Sequence, residues 1–138
     1  MIMKMKMLSV MALLITVVSC VTTTPITLPE KYNLDTELEN VNQLSAVRVS
    51  NWEQVDNQSL LFTANGSEYY LAVLDRPLES VITNDVIGLV DSGSSIKARF
   101  DKFFVKNSSG RHYYVIEKIY KINGREQAKK IKEQLSKN

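Results

Sequence analysis

The sequence predicts a mainly β (α+β) domain, a small antiparallel β-barrel or strongly bent sheet with a C-terminal helix against it. Three observations predict it. From residue 46 onward, short runs of branched and aromatic residues recur at roughly 8- to 12-residue intervals, the spacing of strands in small sandwiches and barrels. Clusters of Asn, Asp, Ser and Gly part those runs, and these residue types favour tight turns. After Ile122 the apolar period lengthens, so that Ala128, Ile131 and Leu135 form one narrow helical stripe within Gly124–Ser136.

The chain opens with Lys4 and Lys6, followed by an uncharged apolar run from Met7 to Val18. A spanning helix needs about 20 apolar residues and this run has only about 12, so residues 1–19 read as a signal peptide. Residues 20–45 then read as a tether. Val21–Leu34 contains Pro25 and Pro29 and little periodicity, and such a stretch buries too little apolar surface to offset its ordering. Within Asp35–Leu44, the residues Leu38, Val41 and Leu44 have the spacing of a short helical turn.

A single β-rich domain with its helix is expected over 46–138. Val47 and Val49 alternate with Arg48 and Ser50, and after the break at Asp56-Asn57-Gln58, Leu60 and Phe62 alternate with Leu61. Asn65-Gly66 tolerates the two positive φ values of a type I′ turn, which makes Ser59–Leu74 a hairpin. Beyond Arg76-Pro77 come Val86–Val90, a break at 91–95, Ile96–Val105, a break at 107–110 and the closing run His112–Ile122. In that run Tyr114, Ile116, Tyr120 and Ile122 fall on one face and Tyr113, Val115 and Ile119 on the other, which places it centrally in the sheet. Asn123 stands ready to cap the helix.

Of the 138 residues, 44% are hydrophobic and 23% charged, which excludes a disordered chain and a multi-span membrane protein and leaves room for one core. The formal charge of +2 comes from Lys4 and Lys6. Its distribution is uneven: Glu30–Asp91 holds eleven acidic and three basic side chains, and Lys97–Lys137 twelve basic and four acidic. Such polarity can serve an anionic partner, but strands from both segments must share a core, so mutual pairing is the preferred reading.

The leader ends in Val17-Val18-Ser19-Cys20, which resembles the bacterial lipobox, with cleavage between Ser19 and Cys20. The resemblance implies a diacylglyceryl group on the Cys20 thiol and, in many bacteria, a third acyl chain (a palmitate-like lipid) on the freed amine. One acyl chain binds a membrane marginally; two or more anchor it stably. Cys20 is the only cysteine, so no intramolecular disulfide can form. Val21 follows where an Asp would retain the protein at the inner membrane. The resemblance therefore implies the cell envelope, at the inner leaflet of the outer membrane, facing the periplasm.

Trp52-Glu53-Gln54-Val55-Asp56, Ser59-Leu60-Leu61-Phe62, Tyr69-Tyr70-Leu71 and Tyr114-Val115-Ile116-Glu117-Lys118-Ile119 carry a second resemblance. Over Val47–Ile122 the chain resembles a family of uncharacterised small envelope proteins of proteobacteria, a domain of unknown function. Family members often have one cysteine after the proline and another in the last strand. The matching places here are Leu78 and Tyr114, so the resemblance implies apolar contact between these two in place of a disulfide.

No residue pattern specifies a catalytic site, a metal or a cofactor. His112 is the only histidine and no thiolate or carboxylate stands near it at ligand spacing. Ser92, Ser94 and Ser95 surround Gly93 without the nucleophile elbow of hydrolases. Asp56, Asp75, Asp85 and Asp91 sit beside turns or strand ends, where Asp bonds local backbone. A binding surface is expected from Trp52, Tyr70, Phe104, Lys129 and Lys130, with the membrane as partner through lipid on Cys20, and another envelope protein or an anionic polymer as the further partner. Phe100–Lys106 interleaves charge and aromatics as nucleic-acid-binding barrels do, but an envelope address argues against nucleic acid. The function expected is a non-enzymatic envelope lipoprotein with a binding or structural role. The alternative is a small hydrolase or transferase acting on envelope material, which requires two or more of Asp56, Asp75, Asp85, Asp91 and His112 to meet in one pocket.

Overall fold

The computed structural model describes residues 24–45, 49–79, 86–90 and 95–137. The leader, Ser19 and Cys20, the first alternating residues Val47 and Arg48, and Asp85, Asp91, Ser92 and Ser94 lie outside the described residues. A 3-10 turn, Glu30–Tyr32, precedes strands β1 (Glu39–Val41), β2 (Gln43–Ser45), β3 (Val49–Gln54), β4 (Ser59–Ala64), β5 (Glu68–Leu74) and β6 (Val86–Val90). Then follow β7 (Ser95–Lys97), β8 (Lys102–Asn107), β9 (Gly110–Ile122) and helix α1 (Gly124–Ser136).

The main sheet is antiparallel, in the order β3-β4-β5-β9-β8-β6, with β1 also pairing β9; β2 and β7 form a separate two-stranded sheet. It is strongly curled into a half-barrel. The Trp52 ring on β3 meets the Phe103 ring on β8 edge-on at 6.5 Å between centroids. Four strand spacings in a flat sheet would hold those strands about 19 Å apart, so the contact requires the sheet to close on itself.

The hairpin Ser59–Leu74 forms as expected. Asn65 and Gly66 both take positive φ (50° and 87°), and Ser67 is an extra residue before the Ala64↔Glu68 pair. Alternation then sorts the side chains: Leu60, Phe62, Ala64, Tyr70, Ala72 and Leu74 enter the concave core, while Leu71 and Val73 enter a second core on the convex side.

Strand β9 crosses between the two cores. The register with β5 shifts between Val73, opposite Lys118, and Leu74, opposite Ile116, leaving Glu117 as the extra residue of a bulge. The expected face assignment is corrected accordingly: Tyr114, Ile116 and Ile119 lie in the concave core, and Tyr120 and Ile122 in the convex one. A period-2 reading carries the wrong parity past any bulge.

Three more expectations are corrected. Ile96–Val105 is two strands in two sheets, because Arg99 takes a left-handed φ of 67° and the buried Asp101 accepts the Lys97 N–H at 2.6 Å, turning the chain. Asn123 makes no side-chain cap; Gln127 Oε1 instead accepts the Asn123 N–H at 2.6 Å. Most consequential is the tether. Tyr32, Leu34 and Leu38 are buried in the convex core beside Ala128, Ile131 and Leu135, and of the short helical turn expected over Asp35–Leu44 only a turn at Leu34–Leu38 forms, with β1 and β2 in place of the rest. Residues 28–45 are therefore part of the folded body.

The buried tyrosines show why this segment stays down. Tyr120 Oη donates to Tyr32 O at 2.8 Å and accepts from the Leu34 N–H at 3.2 Å and Lys118 Nζ at 3.2 Å. Each polar tip thus has partners inside an apolar shell, which removes the desolvation penalty and leaves the burial gain. Leu78 and Tyr114, expected to touch, are placed in one core, the concave one, and Tyr114 Oη accepts the Glu79 N–H at 3.1 Å.

Candidate functional site

Helix α1 packs Ala128, Ile131 and Leu135 onto the convex core and leaves the outward side of β3 and β4 uncovered. A groove of about 620 Å³ runs between them. Strand alternation supplies one wall and the floor: Asn51 and Glu53 from β3, Leu61 and Thr63 from β4, Tyr69 from β5. The register stacks them in rows, Asn51 opposite Thr63 opposite Tyr69, with Glu53 opposite Leu61.

The other wall is helical. Arg125, Lys129 and Lys132 fall four and three residues apart, so they share one flank of α1 and reach over the groove together. Lys132 bonds Glu53 across the mouth. Arg125 and Lys129 form no ion pair among the described residues and stand above Leu61 and Tyr69, with Asn51 and Thr63 as neutral polar groups and Glu126 as a second carboxylate beside Glu53. Three cations against two carboxylates leave the groove with a small excess of positive charge beside some apolar area.

The five residues expected to share a binding surface do not share one. Lys129 lines the groove; Lys130, one residue on, faces Glu37 at 4.0 Å. Trp52 and Tyr70 point to the concave side, Trp52 against Phe103 and Tyr70 buried with its hydroxyl on Glu68 at 3.2 Å. Phe104 lies elsewhere, stacked over Gly88 and flanked by Arg111 and Tyr113. Period-2 parity separates Trp52 from Asn51 and Glu53, and only a β3–β4 pairing register could have revealed the groove from sequence. Arg125 and Lys132 were legible as helix cations; what they face was not.

Of the carboxylates named as catalytic candidates, the two described, Asp56 and Asp75, bond different partners. Asp56 accepts bonds from Tyr32 Oη (2.8 Å), Ser59 Oγ (2.7 Å) and the Gln58 N–H (2.9 Å), and pairs with Lys31 at 2.8 Å. Burial alone raises this carboxyl, but Lys31, Ser59, Gln58 and Tyr32 together outweigh it and hold Asp56 below its ordinary value. The same contact, after burial itself, drives the Tyr32 hydroxyl far above the usual tyrosine range. This is a clasp between the N-terminal segment and the β3–β4 turn. Asp75 accepts the Val115 N–H at 2.9 Å where β5 ends, and His112 faces Glu79 at 3.5 Å. Among the described residues no group of three or more His, Cys, Asp and Glu side chains gathers as a metal site would require.

The uneven charge resolves as mutual pairing in several places. Lys118 meets Asp35 at 3.2 Å, Lys130 meets Glu37 and Lys132 meets Glu53, each joining the basic C-terminal part to the acidic N-terminal part.

A family of unknown function, DUF6491, matches residues 3–138, which spans the half-barrel, the helix and the N-terminal clasp alike. The chain belongs to that family. No curated protein and no solved structure matches it. Membership therefore brings no activity with it, and the functional reading rests on the residues.

Proposed function

We propose that the chain is a non-enzymatic lipoprotein of the bacterial envelope, anchored by lipid on Cys20 at the periplasmic face of the outer membrane, whose body binds an anionic envelope component in the groove beside α1. One observation carries the binding role: Arg125 and Lys129 stand unpaired among the described residues, above Leu61 and Tyr69, in a groove of about 620 Å³ where cations outnumber the carboxylates Glu53 and Glu126. Two such cations gain from an anionic polymer that replaces their hydration with direct charge-assisted bonds. The address is carried by the leader and by Val17-Val18-Ser19-Cys20.

Two experiments separate the parts. Sedimentation with purified cell-wall sacculi tests the groove: Arg125→Glu with Lys129→Glu is expected to weaken binding about tenfold or more, whereas Lys137→Glu, outside the groove, leaves it unchanged. Equal binding by all three proteins refutes the groove. For the anchor, Cys20→Ala is expected to abolish incorporation of labelled palmitate in cells, and label retained on the variant refutes it.

A further inference from the structure

Phe100 is the most exposed large hydrophobic residue described, at 77% of its full accessibility, and it sits at the tip of the turn joining β7 to β8. The turn is braced. Arg99 donates its N–H to Ile116 O at 2.6 Å, the Asp101 N–H bonds Lys97 O at 3.0 Å, and buried Asp101 accepts the Lys97 N–H. A non-glycine residue at positive φ, as Arg99 is, persists only where its surroundings impose it. The fold thus holds an aromatic ring out in water on a fixed platform.

The N-terminal segment passes beside that platform. A depression of about 380 Å³ is lined by Ile26, Leu28 and Asp35 from the segment and by Arg99, Glu117 and Lys118 from the body. A second, of about 300 Å³, continues from Arg99, Glu117 and Lys118 to Phe100 and Lys97. Ile26 is itself 51% exposed. Cys20 lies six residues before Ile26, and six residues reach at most about 20 Å, so an acylated Cys20 holds this end of the body close to the bilayer.

We propose that the Lys97–Lys102 turn is the face that rests on the membrane, with Phe100 inserted among the lipid headgroups and Lys97 and Lys102 over their phosphates. The inference rests on the lipoprotein reading given above. Its chemistry is that of interfacial anchoring: an aromatic side chain at headgroup depth, flanked by Lys97 and Lys102, which are exposed and form no ion pair among the described residues. Such a contact fixes the orientation of a body that an acyl anchor alone would leave free to swing.

The test uses the chain from Cys20 to Asn138 with Trp52→Phe and Phe100→Trp, so that the only tryptophan is at the turn. Cys20 is coupled to a maleimide phospholipid in phosphatidylethanolamine–phosphatidylglycerol vesicles with brominated acyl chains. Blue-shifted emission, quenched by bromine near the headgroups, is expected. The uncoupled Cys20→Ser chain should bind the same vesicles weakly, and Phe100→Ser should lower that binding about tenfold. Water-like, unquenched emission from protein that floats with the vesicles overturns the proposal. A shift seen only on adding envelope protein overturns it in favour of a protein partner. Chemical coupling supplies the anchor regardless of the cell, so failure of native acylation would sink the lipoprotein reading separately.

Discussion

On the concave side of the sheet, Phe103, Tyr114 and Ile116 are covered by strands of the half-barrel itself and by Leu44 and Ile96 of the small β2–β7 sheet. On the convex side, Leu71, Val73 and Tyr120 are covered by the two ends of the chain, Tyr32–Leu38 and α1. The first core is closed by long-range strand pairing, and the second by two segments that are not strands of the sheet. The candidate groove lies on that convex side, beside α1. The same difference makes the N-terminal segment a structural cover with an anchor proposed immediately beyond it.

Substitutions of similar chemistry should separate the two regions. Phe103→Ala removes a fully buried ring that also meets Trp52, and is expected to cost about 3–5 kcal/mol in urea unfolding, with loss of signal from both cores at once. Ile131→Ala, on the helix stripe, is expected to cost roughly 3 kcal/mol, and proteolysis should then release α1 while the strands persist. Simultaneous loss of sheet and helix in that variant would erase the distinction.

A smaller effect tests the clasp. Asp56→Ala removes the acceptor of the Tyr32 hydroxyl and one ion pair of Lys31, and is expected to cost about 2 kcal/mol. The pH dependence follows from the directions of the shifts. The folded Asp56 carboxyl lies below its ordinary value of 3.8, so its contribution is complete above that pH and is lost as pH falls through the folded value. The Tyr32 hydroxyl lies above its ordinary 10.0, so its contribution is complete below pH 10 and is lost as pH rises further. Unfolding midpoints measured across pH should fall at both extremes, and Asp56→Ala should flatten the acid limb.

Much of this fold was legible in the sequence because its strongest signals are local. Asn65-Gly66 announces its own turn, and Ala128, Ile131 and Leu135 announce their helix face. The bulge at Glu117 was hidden because its cause is pairing with β5, not composition. The clasp was hidden because Pro25 and Pro29 read as an extended linker, although Tyr32, Leu34 and Leu38 beyond them are apolar enough to dock. The candidate groove was half legible: its cations lie in one helix, but their facing wall depends on β3, β4 and β5 lying side by side.

Amide hydrogen exchange at Leu34 and Leu38 tests the structural cover most directly. Leu34 N–H bonds the buried Tyr120 hydroxyl and Leu38 N–H bonds Leu34 O at 2.8 Å. Protection approaching that of the β5 amides is predicted at neutral pH. Exchange at the rate of a free peptide would show the segment to be a loose tether, and would remove the fixed geometry that brings the Phe100 turn to the membrane.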